Sequence, residues 1–421
     1  MKKIFQNLCF AGILFIVVMN VSANPKQNTS FAAEKNYDMR QSLEPSRLTI
    51  AMWDFSWLYM HHKGGAFEDF EKATDELLER GFNTVRIDAF PLLIAQMKQE
   101  QKQTWQFPEQ SQSTWGFITQ PHALNIPAVL IEFMEITKRK HIFVILSSWG
   151  AGDRSKFSDR QKFWEAWEMT LDILSEQNLL DHVLYVDLDQ EFPFFSPFQP
   201  ALQELGKQPA AGEGGGLSEA MEAAGQAKWG WNARQMAFVK DYFNSTLRHF
   251  QKKYPRLRFT FSLTAYWDEI RSMKLPLDVL ELHIWLDQDR FDARTGFNTL
   301  NKVRDDAVDY KAYMQSIRQT FKSIRPMLFK QLENRMQYAY NWSNEIPAPL
   351  VTTEAWGPWW HMDHPDLEWQ WLYDWCEQAA ALAENYSFWG ITPWNFSHPY
   401  WENWSNISWY RRVNERFLNS R

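Results

Sequence analysis

Cysteine is nearly absent from this chain: its 421 residues hold two, Cys9 and Cys376. The first falls in a leader-like segment, so neither a disulfide framework nor a cysteine-bound metal organises the rest. Stability must come from packing. Positive charge is short as well, with 44 Lys and Arg against 51 Asp and Glu. The net charge of −7 argues against nucleic acid or an anionic membrane as partner. Long apolar runs are missing too. The run from Leu8 to Met19 is shorter than the roughly 20 residues a spanning helix needs, and no later stretch does better. With Lys2 and Lys3 ahead of it and Val21-Ser22-Ala23 behind, it reads as an export signal over residues 1–23, which implies a secreted or periplasmic protein. The Gly-rich run at 212–216 lacks the Lys-Ser/Thr of a phosphate-binding loop, and no internal repeat is visible.

Aromatics are what the chain has in excess: 23 Trp, 31 Phe and 14 Tyr. Tryptophan offers a flat apolar face with an N–H at its edge, a surface that stacks on sugar rings. Most tryptophans of any protein are core. Here Trp356, Trp359, Trp360, Trp394, Trp401 and Trp404 sit in polar, loop-like company.

Residues 24–46 are polar and aperiodic, a flexible lead; the barrel domain described next is expected to span 47–421. Eight strand-like runs alternate with helical ones. The strands are Leu48–Asp54, Thr84–Phe90, His141–Trp149, His182–Glu191, Arg258–Tyr266, Leu277–Trp285, Pro349–Trp356 and Phe388–Asn395. On the second, fourth, fifth and sixth, polar residues share one parity and aliphatics the other. An open, doubly wound sheet buries both faces and reads as continuous Val, Ile and Leu. Strands with an apolar back and a polar front suit a single (β/α)8 TIM barrel with long β→α loops. The first and third strands do not alternate cleanly and leave their facing open.

The fourth strand carries the chemistry. Leu184, Val186 and Leu188 fall on one face; Tyr185, Asp187, Asp189 and Glu191 fall on the other. Like charges at Asp187 and Asp189 are expected to raise the proton affinity of Glu191. A second carboxylate, Glu354, closes the seventh strand in Val351-Thr-Thr-Glu354-Ala-Trp356. Two carboxylates at one rim of a barrel are what glycoside cleavage requires: one protonates the departing oxygen, the other attacks or activates water. No strand ends in the lysine a Schiff-base aldolase would use. Only His283 stands at a strand end, too few for a barrel metallohydrolase. His361-x-x-His364 lacks a third ligand, so no metal and no cofactor is expected.

These motifs resemble the clan of retaining glycoside hydrolases that includes the family 5 cellulases. In that clan the acid/base Glu ends strand four in an Asn-Glu-Pro-like motif, matched by Gln190-Glu191-Phe-Pro193, and the nucleophile ends strand seven, matched by Glu354. An Arg near the end of strand two is matched by Arg86. A His-x-Tyr on strand six is matched in part by His283-Ile-Trp285, and a sugar-flooring Trp on strand eight by Trp394. The resemblance implies a β-glycosidase whose partner is carbohydrate, with Glu191 and Glu354 catalytic. Arg86, Gln190, His283, Trp285, Trp356 and Trp394 would bind substrate, with Arg86 holding Glu354 ionised; on spacing alone Arg86 could equally pair with Asp88 or Glu281. Two departures stand out. Gln190 replaces Asn, and Trp285 replaces the Tyr that contacts the nucleophile. A sugar-binding barrel without turnover is the alternative they leave open.

Overall fold

Short aliphatic runs between amphipathic segments become eight parallel strands of one sheet. The structure is a computed structural model that describes residues 43–109, 118, 120–207, 230–286, 291, 309–358, 361–394 and 397–420. The expected leader, the Gly-rich run at 212–216, Trp359 and Trp360 lie outside the described residues. The strands are β1 (Leu48–Asp54), β2 (Thr84–Asp88), β3 (Phe143–Ser147), β4 (Val183–Asp187), β5 (Phe259–Thr260), β6 (Leu280–Glu281), β7 (Leu350–Thr352) and β8 (Gly390–Ile391). Their spatial order is β5-β4-β3-β2-β1-β8-β7-β6, so neighbours in sequence are neighbours in space. Between β5 and β6 the ring closes through a bridge between Leu263 and Leu282. There His283 N donates to Leu263 O at 3.0 Å and Leu263 N to Glu281 O at 3.1 Å. This is the (β/α)8 barrel that the alternation implied.

A helix follows each strand: α1 (Phe70–Glu79), α2 (Ile126–Arg139), α3 (Arg160–Glu176), α4 (Ala233–Lys253), α5 (Trp267–Ser272), α6 (Tyr310–Glu345), α7 (Gln370–Glu384) and α8 (Ile407–Asn419). Their starts are written in the sequence. Asp69, Asn125, Asp159, Asn232, Asp309 and Asn406 each accept a first-turn backbone N–H through the side chain. Such caps satisfy donors that a helix cannot pair internally. Among the described residues no helix is long and apolar enough to cross a membrane.

The barrel interior has two layers. Its lower layer is apolar: Leu48 and Ile50 of β1, Ile145 of β3, Leu184 and Tyr185 of β4, Val351 of β7, and Val279 and Trp389 just before β6 and β8 form one buried cluster. Leu43 joins them, and Trp389 donates its indole N–H to Pro45 O at 2.8 Å. The end of the expected flexible lead is therefore packed under the barrel. The upper layer is charged and forms the site described below. Outside the ring, the aliphatic backs of the strands pack on the helices. Phe261 stacks on Phe243 of α4 at 4.0 Å between centroids and 7° between planes, with neither ring exposed.

Expected and observed strand lengths differ most at the fifth and sixth, where regular pairing stops after Thr260 and Glu281. The chain turns at Tyr266, whose φ of +56° opens α5. Left-handed residues also end the β1, β2 and β4 segments: Asp54 (+38°), Phe90 (+53°) and Glu191 (+51°). Each lies at the rim where the loops depart.

Replacing Phe261 with Ala should lower unfolding stability by about 3–5 kcal/mol, because the stacked pair cannot close the void. Urea unfolding followed by tryptophan fluorescence measures this; a loss below about 1 kcal/mol would show that α4 does not depend on that contact.

Candidate active site

The charged layer is built on a single cation. Arg86 projects from β2 into the barrel with no exposed surface. Its Nε and Nη2 each reach a carboxylate oxygen of Asp54 at 2.8 Å. Nη2 also donates to Glu354 Oε1 at 2.6 Å, and Nη1 donates to Glu281 Oε1 at 3.3 Å and to the Thr353 hydroxyl. Burial works against the guanidinium's charge, but the surrounding carboxylates outweigh it and hold its pKa well above the usual value. Of the three pairings left open by the sequence, two form, with Glu354 and with Glu281. Asp88 is not a partner: its oxygens accept backbone N–H groups of Phe90 at 2.7 Å and Trp149 at 2.9 Å.

Glu354 receives a second bond at the same oxygen, from Gln190 Nε2 at 2.6 Å. Among the described residues Oε2 meets only the His283 ring nitrogen, Nδ1, at 3.3 Å. That nitrogen lies 2.9 Å from Glu191 Oε1. One carboxylate oxygen from each acid and the His283 nitrogen thus lie within 4.8 Å of one another. Glu354 is fully buried, whereas 14 % of the Glu191 side chain is exposed. Burial, together with the charges of Glu191 and Asp54, pushes the Glu354 carboxyl up to about 8 against the pull of His283 and Arg86. Arg86 alone therefore does not hold Glu354 ionised in the way the resemblance implied: burial and the neighbouring acids oppose it, and His283 shares the task. The trio has metal-like spacing, but the nitrogen that would face an ion already spans the two acids, so we assign it to proton transfer.

Glu191 takes its place because the backbone turns at it. Regular β4 pairing ends at Asp187, and Glu191 sits in the left-handed region, a conformation that costs an L-residue about 1–2 kcal/mol. Its backbone N–H donates to Ser262 Oγ at 3.0 Å, and its carbonyl accepts from Phe194 N at 2.9 Å. The expectation for its acidic neighbours needs correction. Asp187 accepts from Ser262 N at 2.8 Å, deep in the barrel. Asp189 accepts from Tyr242 Oη of α4 at 3.2 Å, so it faces the helices and not Glu191. His283, not a row of like charges, is the group that Glu191 meets.

The tryptophans divide. Trp394 is 2 % exposed and lies so tightly on Gly357 that a Cβ there would come within 2.2 Å of its ring. Trp285 is 4 % exposed, and its main-chain oxygen accepts from Arg335 at 3.0 Å. Trp356, expected to bind substrate, is turned into the core: it is fully buried and donates its indole N–H to Thr392 O at 3.0 Å. Trp401 and Trp404 are also core. The structure thus gathers Arg86, Gln190, Glu191, His283 and Glu354 around one point. It adds Asp54 and Thr353, which sequence reasoning missed. Asp54 carried a signal, since it closes a strand as Glu191 and Glu354 do.

Comparison with known proteins places the fold. The model of the family described as cellulase-like, "Sugar-binding cellulase-like", matches residues 50–418. No curated protein matches. Among solved structures, one from Parabacteroides distasonis, provisionally titled a glycoside hydrolase, is 26 % identical with a TM-score of 0.72, covering 89 % of this chain and 94 % of that one. A family 5 mannosidase from Rhizomucor miehei aligns at 11 % identity and a TM-score of 0.46, over 89 % and 94 % of the two chains. An endo-1,4-β-D-mannanase from Thermotoga petrophila aligns at 11 % and 0.43, over 82 % and 87 %. The family match spans the barrel from β1 to α8, and the chain belongs to the sugar-binding cellulase-like family.

Proposed function

We propose that the protein is a retaining glycoside hydrolase acting on β-linked glucan- or mannan-type saccharides, with Glu354 as nucleophile and Glu191 as acid/base. The observation that carries this reading is that one oxygen of Glu191 and one of Glu354 lie within 4.8 Å of each other across His283. A retaining pair stands about 5–5.5 Å apart, whereas an inverting pair needs roughly 6.5–9.5 Å to admit a water. The bonding of Glu354 supports its role. With Oε1 held by Arg86 and Gln190, Oε2 is the oxygen left to attack.

In the first step Oε2 of Glu354 bonds to the anomeric carbon while the glycosidic C–O bond breaks. The proton of Glu191 passes to the leaving oxygen. In the second, water attacks that carbon, Glu191 takes its proton, and the bond to Glu354 breaks with net retention. Glu191 is the more exposed of the two, as a group that meets the leaving sugar and then water should be. The leader-like residues 1–23 support an exported enzyme working on carbohydrate outside the cytoplasm.

A second reading, sugar binding without turnover, is favoured by one observation. The amide of Gln190 is committed to Glu354, whereas the Asn of family 5 contacts the sugar. Hydrolysis and binding measured on the same panel of β-glucans and β-mannans separate the two; binding with no hydrolysis at any pH supports the second.

A 2-fluoro β-glycoside with a good leaving group should label the peptide that carries Glu354, and Glu354→Gln should lower kcat by at least about 10³-fold. Labelling elsewhere, or a fully active variant, would overturn the assignment. Glu191→Gln should slow natural glycosides by about 10²–10⁴-fold, the range of general acid catalysis, while sparing the first step on dinitrophenyl glycosides. Equal losses on both substrates would remove Glu191 from the acid role.

A further inference from the structure

We propose that Glu281 is a positioning residue for the acid pair: through Thr353 it orients the ring of His283 and keeps both ring nitrogens protonated, so that one imidazolium spans Glu191 and Glu354. The proposal rests on the reading of those two acids given above.

Glu281 precedes His283 by two positions on the β6 segment, so both face the barrel interior, and neither has exposed surface. A carboxylate that deeply buried needs donors. It has them in the Thr353 hydroxyl and Arg86 Nη1. His283 Nε2 stands 3.8 Å from the same oxygen and 3.4 Å from Thr353 Oγ1.

A count of donors then fixes the state of the ring. Arg86 has five N–H groups. Their acceptors are both Asp54 oxygens, Glu354 Oε1, Glu281 Oε1 and Thr353 Oγ1, so none remains for His283 Nε2, although Nη1 lies 3.4 Å from it. Thr353 has one hydroxyl proton, and it points at Glu281. Toward His283 the threonine can only accept. Nε2 must therefore carry a proton of its own to find a partner. At the opposite edge Nδ1 lies 2.9 Å from Glu191 and 3.3 Å from Glu354 Oε2; that oxygen has no other donor among the described residues, so Nδ1 carries a proton to serve it. The ring is a cation between acids.

The carboxylates around the ring favour its charge, and Arg86 opposes it. Glu191 faces it from the β4 end, Glu281 from its own strand, Glu354 from β7, and Arg86 from β2 with Asp54 of β1 behind it. Burial alone would discharge the histidine. The charge of Glu354 and the bonds to Glu191 and Glu281 outweigh it and hold the ring up at about 10. For Glu281, burial favours the neutral acid, but the bond from His283 and the charge of Arg86 prevail, and its pKa lies below the usual value. Asp187 takes the opposite course: burial and the Glu281 charge raise it well above the carboxylate range. Of these two neighbours, Glu281 keeps its charge. When Glu191 has given its proton to the leaving group, the carboxylate it becomes is met at once by a fixed N–H of that cation.

The test is an NMR titration of the side-chain nitrogens in ¹⁵N-histidine-labelled protein without substrate, with His283 assigned by the signal lost in His283→Asn. In the unmodified protein both nitrogens of His283 should be protonated at about pH 7.5, above the ordinary range for histidine. Because Glu281 favours the charged ring, Glu281→Gln should lower the midpoint by about one pH unit or more, and Glu281→Asp should restore part of it. A neutral His283 in the unmodified protein overturns the proposal without recourse to any variant, should Glu281→Gln fail to fold. A midpoint unchanged in Glu281→Gln overturns it as well. Turnover does not enter the measurement, so failure of the hydrolase reading and failure of this one are separate results.

Discussion

The guanidinium of Arg86 is the constraint on which the rest depends. It ties β2 to Asp54 at the end of β1, to Glu281 on β6, and to Thr353 and Glu354 beyond β7. A charge in that position is tolerable only with complete pairing, since breaking a buried pair costs about 3–5 kcal/mol. Lysine would not serve. Its three donors lack the planar fork that meets both oxygens of Asp54 while also reaching Glu354. The same bonds that neutralise the barrel interior therefore aim the acid read as the nucleophile. They hold one oxygen and leave the other with a single neighbour. Structure and proposed chemistry share one set of contacts, so the site cannot loosen without the barrel loosening.

Much of this was legible in the sequence, and the reasons are local. β2, β4, β5 and β6 alternate because their inward positions reach the charged layer: Arg86, Asp187, Ser262, Glu281 and His283 stand out against aliphatic neighbours. β1 and β3 do not alternate because their inward residues Leu48, Ile50 and Ile145 form the apolar lower layer, so both faces read alike. Asp189 was misplaced because parity holds only while the strand does. Regular pairing stops at Asp187, and past it the chain is set by Gln190 N donating to Ser148 O and by the left-handed turn at Glu191. Trp356 was misplaced for a related reason. Composition names an aromatic but not its side, and the bond to Thr392 turns this one inward. Thr353 gave no signal, because a threonine in a β-branched strand looks like any other; its importance lies in contacts with residues 72 and 267 positions away.

The two departures from the family 5 pattern have different consequences. Gln190 keeps an amide donor near Glu354, and its extra methylene lets Nε2 bond the carboxylate directly. Trp285 supplies no hydroxyl, yet Glu354 is already held by Arg86 and Gln190 and approached by His283. The site thus anchors its deeper acid through the barrel interior. Above it, loops lead away from left-handed residues at Asp54, Phe90, Glu191 and Tyr266, at the rim where barrels of this kind place their specificity.

The most direct measurement of the central claim is the anomeric configuration of the first product, read by proton NMR within the first minutes of hydrolysis, before mutarotation. One oxygen of each acid lies within 4.8 Å of the other, which suits a retaining pair, so the β-anomer should form first. An α-anomer as first product would mean that Glu354 does not attack the sugar, and the arrangement around Arg86 would then need another explanation.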